Sequence, residues 1–267
     1  MKSFISEDDI EQAICNRLAL PEYGWERIEC DPGVDAQDDV SRTGRSGSSE
    51  CILPDVLLSS LKRLNPQIDE EILKGIVRDF RRDFSGTDMI DTNYRFYNSL
   101  RNGVRVTVRK DGRESFDIVR IIDFAEPLNN SFHCVNQMWI KGHYRYRRPD
   151  VLLFVNGLPV VFVELKNSTV KIEESYNKNL VSYRKDIPNI FAFNQICVLS
   201  NGVKTKVGAW NSDYEFFFEW LRVDDEKEVL DRANIEEHGL SVTCLVDGLL
   251  RKERLIDYIE NFILFDR

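Results

Sequence analysis

Apolar residues first recur at a helical interval over 6–19, where Ile10, Ile14 and Leu18 line one face and Ser6, followed by acids, makes a capped start. The pattern stops before Pro21. Residues 31–50 carry Gly, Ser and Asp with almost no large apolar side chain, which predicts a long mobile loop. Over 69–83 the helical interval returns, with Ile72, Ile76 and Phe80 on one face and charges opposite. From about 104 the interval becomes two: Val104–Val108 alternates, and Val119–Phe124 and Val135–Ile140 are further strand candidates in a small antiparallel unit.

Two runs, Val151–Val155 and Val160–Val163, are apolar on both faces, so they belong inside a sheet covered by helices on both sides. Asn156-Gly157 between them is the strongest short hairpin signal. Residues 170–185 are polar and helix-compatible, closed by Ile187-Pro188. Residues 195–200 predict another buried strand, stopped by Asn201-Gly202, and from about 226 the chain is helical, with Leu249, Leu255, Ile256, Ile259 and Ile263 as an apolar stripe. This order predicts an α/β fold, a central mixed β-sheet flanked by helices. The whole of 1–267 reads as one domain, with a core of about 104–210, an N-terminal elaboration of about 1–103 and C-terminal helices of about 226–267.

Composition narrows the setting. No apolar run approaches the ~20 residues of a membrane-spanning helix, and the first nine residues turn acidic with no apolar core, unlike a secretory leader. A cytoplasmic protein with no membrane partner is expected. The cysteines (15, 30, 51, 134, 197, 244) form no CxxC pair and are expected reduced and mostly buried. His133, His143 and His238 lie far apart, which argues against histidine-based zinc chemistry. A net charge of −9 argues against a tight electrostatic grip on nucleic acid. Against that background His143-Tyr144-Arg145-Tyr146-Arg147-Arg148 interleaves cations with aromatics, and Arg145, Arg147 and Arg148 are candidate nucleic-acid contacts. Arg78, Arg81 and Arg82 fit a solvated, ion-paired face equally well.

The candidate chemistry flanks the hairpin, with Arg148-Pro149-Asp150 before it and Glu164-Leu165-Lys166 after it. Residues two apart on a strand share a face ~7 Å apart, so Glu164 and Lys166 point the same way. A two-residue loop sets Asp150 opposite Val163, on the wrong face. A three-residue loop, or a bulge with the same effect, sets it opposite Glu164, and that register is expected. Two carboxylates ~4 Å apart repel by ~4 kcal/mol at an effective dielectric of ~20, so a cation is expected between them. Asp150, Glu164 and the Leu165 backbone carbonyl suit Mg²⁺. Lys166 is then the group that orients an attacking water or stabilises charge on a phosphate, and Asp150, Glu164 and Lys166 are the catalytic candidates. An isolated ExK is more often an ordinary strand-end pair. The Pro-Asp at hairpin distance, the basic lead-in and the polar helix that follows reverse that balance.

Ile122-Asp-Phe124 with Asn129-Asn130, Val135-Asn-Gln137, Arg148-Pro-Asp-Val151, Asn156-Gly-Leu-Pro159, Glu164-Leu-Lys-Asn167, Ile187-Pro188, Phe193-Asn194 and Asn261-Phe262-Ile263 together resemble the N-terminal nuclease domain of type I restriction-modification R subunits, of the PD-(D/E)xK superfamily. The resemblance runs from residue 6 onward, and the hairpin motif is its most specific part. It implies a restriction-endonuclease-like core with N-terminal and C-terminal helical additions and Mg²⁺-dependent cleavage of double-stranded DNA. In the full subunit it implies an ATP-driven DNA-translocating motor and assembly with modification and specificity subunits. Asp150 and Glu164 match the family's metal ligands, Lys166 its catalytic lysine and Glu11 an auxiliary acidic position.

Two departures stand out. Where the family often carries Gln-x-x-x-Tyr, this chain has Asn179-Leu-Val-Ser-Tyr183, whose amide is one methylene shorter in reach. Tyr183 is a candidate phosphate contact or a core aromatic. No GxxxxGK[ST] occurs, so nothing here cradles ATP phosphates, and the nuclease part without its motor is expected. The rival readings are a catalytically silent DNA-binding or assembly module and a free-standing repair-type nuclease with the same core.

Overall fold

In chain order the strands are β1 (Glu26–Glu29), β2 (Val104–Lys110), β3 (Arg113–Val119), β4 (Phe132–Asn136), β5 (Ile140–Lys141), β6 (Tyr146–Arg147), β7 (Val151–Val155), β8 (Leu158–Leu165), β9 (Ile196–Ser200), β10 (Thr205–Gly208) and β11 (Phe218–Glu219). They come from a computed structural model that describes residues 5–30, 36–84, 86–110, 113–224, 227, 228, 233 and 241–265. Seven strands form one mixed sheet in the order β1-β4-β7-β8-β9-β10-β11. The β1–β4 and β8–β9 pairs are parallel, and the neighbours around them are antiparallel. The expected α/β architecture is the one observed.

Every residue of β7 and β8 is buried, as runs apolar on both faces require. Val151, Leu153, Val161 and Val163 pack on one side with Ile10 and Ile14 of α1 (Glu7–Leu18). Leu152, Phe154 and Phe162 pack on the other with Tyr176, Leu180 and Tyr183. The α1 helix begins with a reciprocal cap: Ser6 Oγ accepts the Asp9 N–H at 3.1 Å and the Asp9 carboxylate accepts the Ser6 N–H at 2.9 Å. Helices α3 (Pro54–Leu64), α4 (Glu70–Phe80) and α5 (Met89–Asn102) follow, and α4 answers the pattern over 69–83. Among the described residues no helix is long and apolar enough to cross a membrane.

The β7–β8 hairpin settles its own register. Asn156 (φ 49°) and Gly157 (φ 82°) make a two-residue turn that pairs Val155 with Leu158 and Phe154 with Pro159. The register then shifts, and Leu153 pairs with Val161 and Val151 with Val163. Val160 is the surplus residue of a bulge. Pro159, which has no N–H to give to a ladder, sits beside it, and the Val160 carbonyl is taken by the Gln195 N–H at 2.8 Å. The next step along the strands sets Asp150 across from Glu164, so the bulge does what a longer loop would have done. The turn is buried: Asn156 Nδ2 donates to the Ile121 carbonyl at 2.8 Å, and a Cβ on Gly157 would lie 2.6 Å from the Leu53 carbonyl oxygen.

Several expectations are corrected. The 31–50 segment is not simply a loop, since α2 (Ala36–Arg42) forms within it, while 31–35 lie outside the described residues. Arg45 is buried there and donates to Thr43 Oγ1 and to the Glu50 and Trp139 carbonyls, fixing the segment without apolar side chains. Val119–Phe124 is not a strand, and β2 pairs instead with β3, which ends at Val119. The backbone after it is captured by side chains: Asn65 bonds both the N–H and the carbonyl of Arg120, and Asn130 Oδ1 accepts the Asp123 N–H. Val135–Ile140 breaks at Gln137, whose φ is 57°. Of the helical segment expected from about 226, residues 226, 229–232 and 234–240 lie outside the described residues, His238 among them. From 241, beyond α6 (172–186), two helices follow, α7 (Ser241–Gly248) and α8 (Lys252–Asn261), with Leu249, Leu255, Ile256 and Ile259 buried. Arg81 and Arg82 are ion-paired, to Glu50 and Asp79.

Candidate active site

The C-terminal end of β4, the N-terminal end of β7 and the C-terminal end of β8 meet at one edge of the sheet. Alternation places Asp150 and Glu164 on the face covered by helix α6, which runs as α-helix over Ile172–Glu174, as π-helix over Ser175–Leu180 and as α-helix again over Val181–Asp186. Asp150 Oδ2 accepts the Leu165 N–H at 2.7 Å. In a strand the N–H and C=O of one residue face the same way, so the Leu165 carbonyl also faces Asp150. Lys166 Nζ donates to that carbonyl at 2.6 Å and to Glu164 Oε1 at 3.2 Å, with Glu7 Oε1 3.7 Å away. The four groups singled out around the hairpin are thus brought together.

Burial and mutual repulsion set the electrostatics. Glu164 is 1% exposed, and burial together with the neighbouring Asp150 charge pushes its carboxyl up to about 8. Burial raises Asp150 to about 6, against the Leu165 N–H and Lys166, which lower it. Lys166 is held above its ordinary value, because Glu164, Glu7 and Asp150 outweigh the opposing effect of burial. Glu164 Oε2 is buried and has no hydrogen-bond partner. An acceptor left open in this way costs ~1–3 kcal/mol unless something else meets it.

Among the described residues no three His, Cys, Asp or Glu side chains gather into a ready metal cage. What the edge offers is two carboxylates, one oxygen of which is orphaned, and a backbone carbonyl. An all-oxygen set of this size fits a hard cation that keeps several waters, as Mg²⁺ does.

Glu11 is 4% exposed and turned inward. Its Oε1 accepts Asn136 Nδ2 at 2.8 Å and its Oε2 accepts Gln137 Nε2, which also reaches Asp150 Oδ1 at 3.4 Å. Burial raises the Glu11 carboxyl, and the two amides pull it back. These residues line an open cleft of about 400 Å³ with Glu7, Glu29, Arg148 and Asp150. Asn136, Gln137 and Glu7 have no site role in the sequence reading. Gln137 stands out only through its backbone, since the positive φ that ends β4 turns its amide toward both acids.

Asn179 does reach the site. Its Nδ2 donates to Glu164 Oε1. Asn179 lies within the π-helical stretch Ser175–Leu180, a wider turn than a regular helix makes. Tyr183 is buried: its ring packs edge-on against Phe162 and its hydroxyl donates to the Arg148 carbonyl at 3.3 Å. Its ring thus belongs to the core while its hydroxyl lies beside the Glu164 and Asp150 carboxylates. Arg147 is clamped to Asp186 through Nε at 2.7 Å and lies over the Tyr183 ring. The Arg148 guanidinium sits 5.1 Å from the Trp139 ring and lines the cleft. Arg145 is exposed.

Residues 4–216 match the family model described as the type I restriction enzyme R protein N terminus. Over 267 aligned residues, 98% of this chain, the sequence is 33% identical to the type I restriction enzyme HindI endonuclease subunit of Haemophilus influenzae. It is 31% identical over 84% of its length to a Methanocaldococcus jannaschii protein provisionally named as the type I restriction enzyme MjaIXP endonuclease subunit. The chain spans 24% and 23% of the length of these two curated relatives.

Proposed function

The chain belongs to the family of type I restriction enzyme R protein N termini, and we propose that it is the endonuclease module of such an enzyme, hydrolysing phosphodiester bonds of double-stranded DNA. The observation that carries this reading is the pairing of half-buried Asp150, which lines an open cleft, with buried Glu164, whose Oε2 is orphaned. Asp150, Glu164 and the Leu165 carbonyl are the residues that would hold Mg²⁺. When bound, the cation supplies an acidified water and neutralises charge on the phosphate.

The protein's own part is positioning. The Leu165 N–H fixes the Asp150 carboxylate, and Asn179 fixes one Glu164 oxygen, leaving the other without a hydrogen-bond partner for the cation to meet. The Lys166 ammonium now holds the Leu165 carbonyl. Releasing that carbonyl frees Lys166 to face the scissile phosphate, with Glu7 as a second anchor. Glu11 orders Gln137, which steadies Asp150 from the α1 side.

In the complete protein the reading places an ATP-driven motor elsewhere in the subunit and modification and specificity subunits alongside, in the cytoplasm. A motor that feeds DNA to the cleft removes the need for high intrinsic affinity, which suits a chain of net charge −9. The acids lining the cleft favour a second reading, a silent assembly module on the same fold. Plasmid nicking by the intact R-subunit complex with Mg²⁺ separates the two. Asp150→Ala and Lys166→Ala should each abolish it, and undiminished cleavage by both would sink the active-site assignment.

A further inference from the structure

The stretch that leads into Asp150 folds as a small separate hairpin. Strands β5 and β6 pair Ile140 with Arg147 and Lys141 with Tyr146, and the Gly142 N–H donates to the Arg145 carbonyl at 2.8 Å, leaving His143 and Tyr144 at the tip. The base is clamped from two sides. Arg147 is fastened to Asp186 of α6, and the Lys141 N–H donates to the Ser48 carbonyl at 2.9 Å. Gly142 passes so close to α6 that a Cβ would stand 1.6 Å from the Asp186 carbonyl oxygen. The tip is bare: Tyr144 is 90% exposed, with the His143 ring edge-on at 4.3 Å. Residues 141–148 hold four Lys and Arg and no acid, in a chain of net charge −9.

A rigid base carrying an exposed aromatic among cations fits a nucleic-acid backbone with a base face beside it. Resting on the nuclease reading above, we propose that the His143–Arg145 tip is a DNA-contact finger, in which Arg145 meets phosphate and the Tyr144 ring stacks on a base at a locally opened step. Arg147 and Arg148 serve the finger from behind, through Asp186 and Trp139. Tyr144 lies six positions before Asp150, so their backbones are at most ~20 Å apart. At ~3.4 Å per nucleotide that span corresponds to ~6 steps between the stacked base and the scissile phosphate.

The test uses this chain with duplex DNA carrying 2-aminopurine at successive positions, at low salt and without divalent cation. Wild-type protein should quench the probe at one position, and Tyr144→Ala should lose the quench and bind ~5- to 150-fold more weakly, the range of one base–aromatic stack. Tyr144→Trp should restore both, and Arg145→Ala should lower the slope of log affinity against log salt by ~1. Equal affinity and equal fluorescence for wild type and Tyr144→Ala overturn the finger and point to a protein partner for the tip. Failure of the wild type to bind any duplex overturns it too. A Tyr144-dependent quench in a protein whose complex does not nick DNA supports the finger and removes the nuclease reading alone.

Discussion

The Leu165 N–H is aimed at Asp150, whose Oδ2 accepts it at 2.7 Å, so the strand that bears Glu164 is fastened to the very carboxylate that repels it. Asp150→Asn should keep the position filled while removing the charge that raises Glu164. The variant should be more stable than wild type in the metal-free state by ~1 kcal/mol, or ~2–4 °C in melting temperature for a chain of this size. DNA nicking by the complex should fall to background. A variant that melts lower and still nicks would contradict the pairing of these two acids.

The same pair sets a pH dependence. Both folded-state carboxyls lie above their ordinary values, Asp150 at about 6 and Glu164 at about 8, so the native state holds protons that the unfolded chain has released. Their contribution to stability is present below the unfolded values and is lost as pH rises through 6 and then 8. Metal-free protein should therefore melt at a falling temperature across this window. Added Mg²⁺ competes with those protons, so the stabilisation it gives should grow over the same range. Thermal scans at stepped pH with and without Mg²⁺ read both trends, and a Mg²⁺ effect flat in pH would count against cation binding at these acids.

Asn179→Ala removes a hydrogen bond that favours charged Glu164. Mn²⁺ affinity measured by calorimetry should drop ~10- to 100-fold, as it does when a residue behind a metal ligand is lost, and the cleavage profile should move toward higher pH. Asn179→Gln, longer than the π turn allows for, should not restore the wild-type values. Identical titrations for the alanine variant and wild type would assign Asn179 to packing alone.

Gly157→Ala tests the turn. Its φ of 82° is unfavourable for any Cβ, and that atom would lie 2.6 Å from the Leu53 oxygen and 2.7 Å from the Leu57 nitrogen. A loss of ~2 kcal/mol or more in urea unfolding is expected from strain and backbone displacement together. A change below ~0.5 kcal/mol would mean that α3 is not seated on the turn.

The parts legible in the sequence are those written locally. Ile10, Ile14 and Leu18 announce α1, and Asn156-Gly157 announces the hairpin. Even the surplus residue was foreseeable, because only a longer loop or a bulge brings Asp150 and Glu164 together. What escaped depends on side chains bonding distant backbone. Arg45 organises 36–50 through the Glu50 and Trp139 carbonyls, so a Gly- and Ser-rich stretch conceals a folded one. Asn65 bonds Arg120 from 55 positions away and ends a strand that hydropathy alone would continue. Glu11 and Gln137 meet from different elements, and no spacing rule links residues 126 apart. The reach of Asn179 is a matter of helix winding, which residue type at that position does not encode.

The surplus at Val160 makes the count of residues between Asp150 and Glu164 a matter of parity. Adding or removing one residue anywhere in that stretch exchanges inside for outside on one strand and turns one carboxylate to the opposite face. Length variation among relatives in this interval should therefore be quantised, either absent or offset by a second change of the same size nearby. A library of single-residue insertions and deletions across 151–163, scored for restriction of incoming phage DNA, would survive only as such compensated pairs.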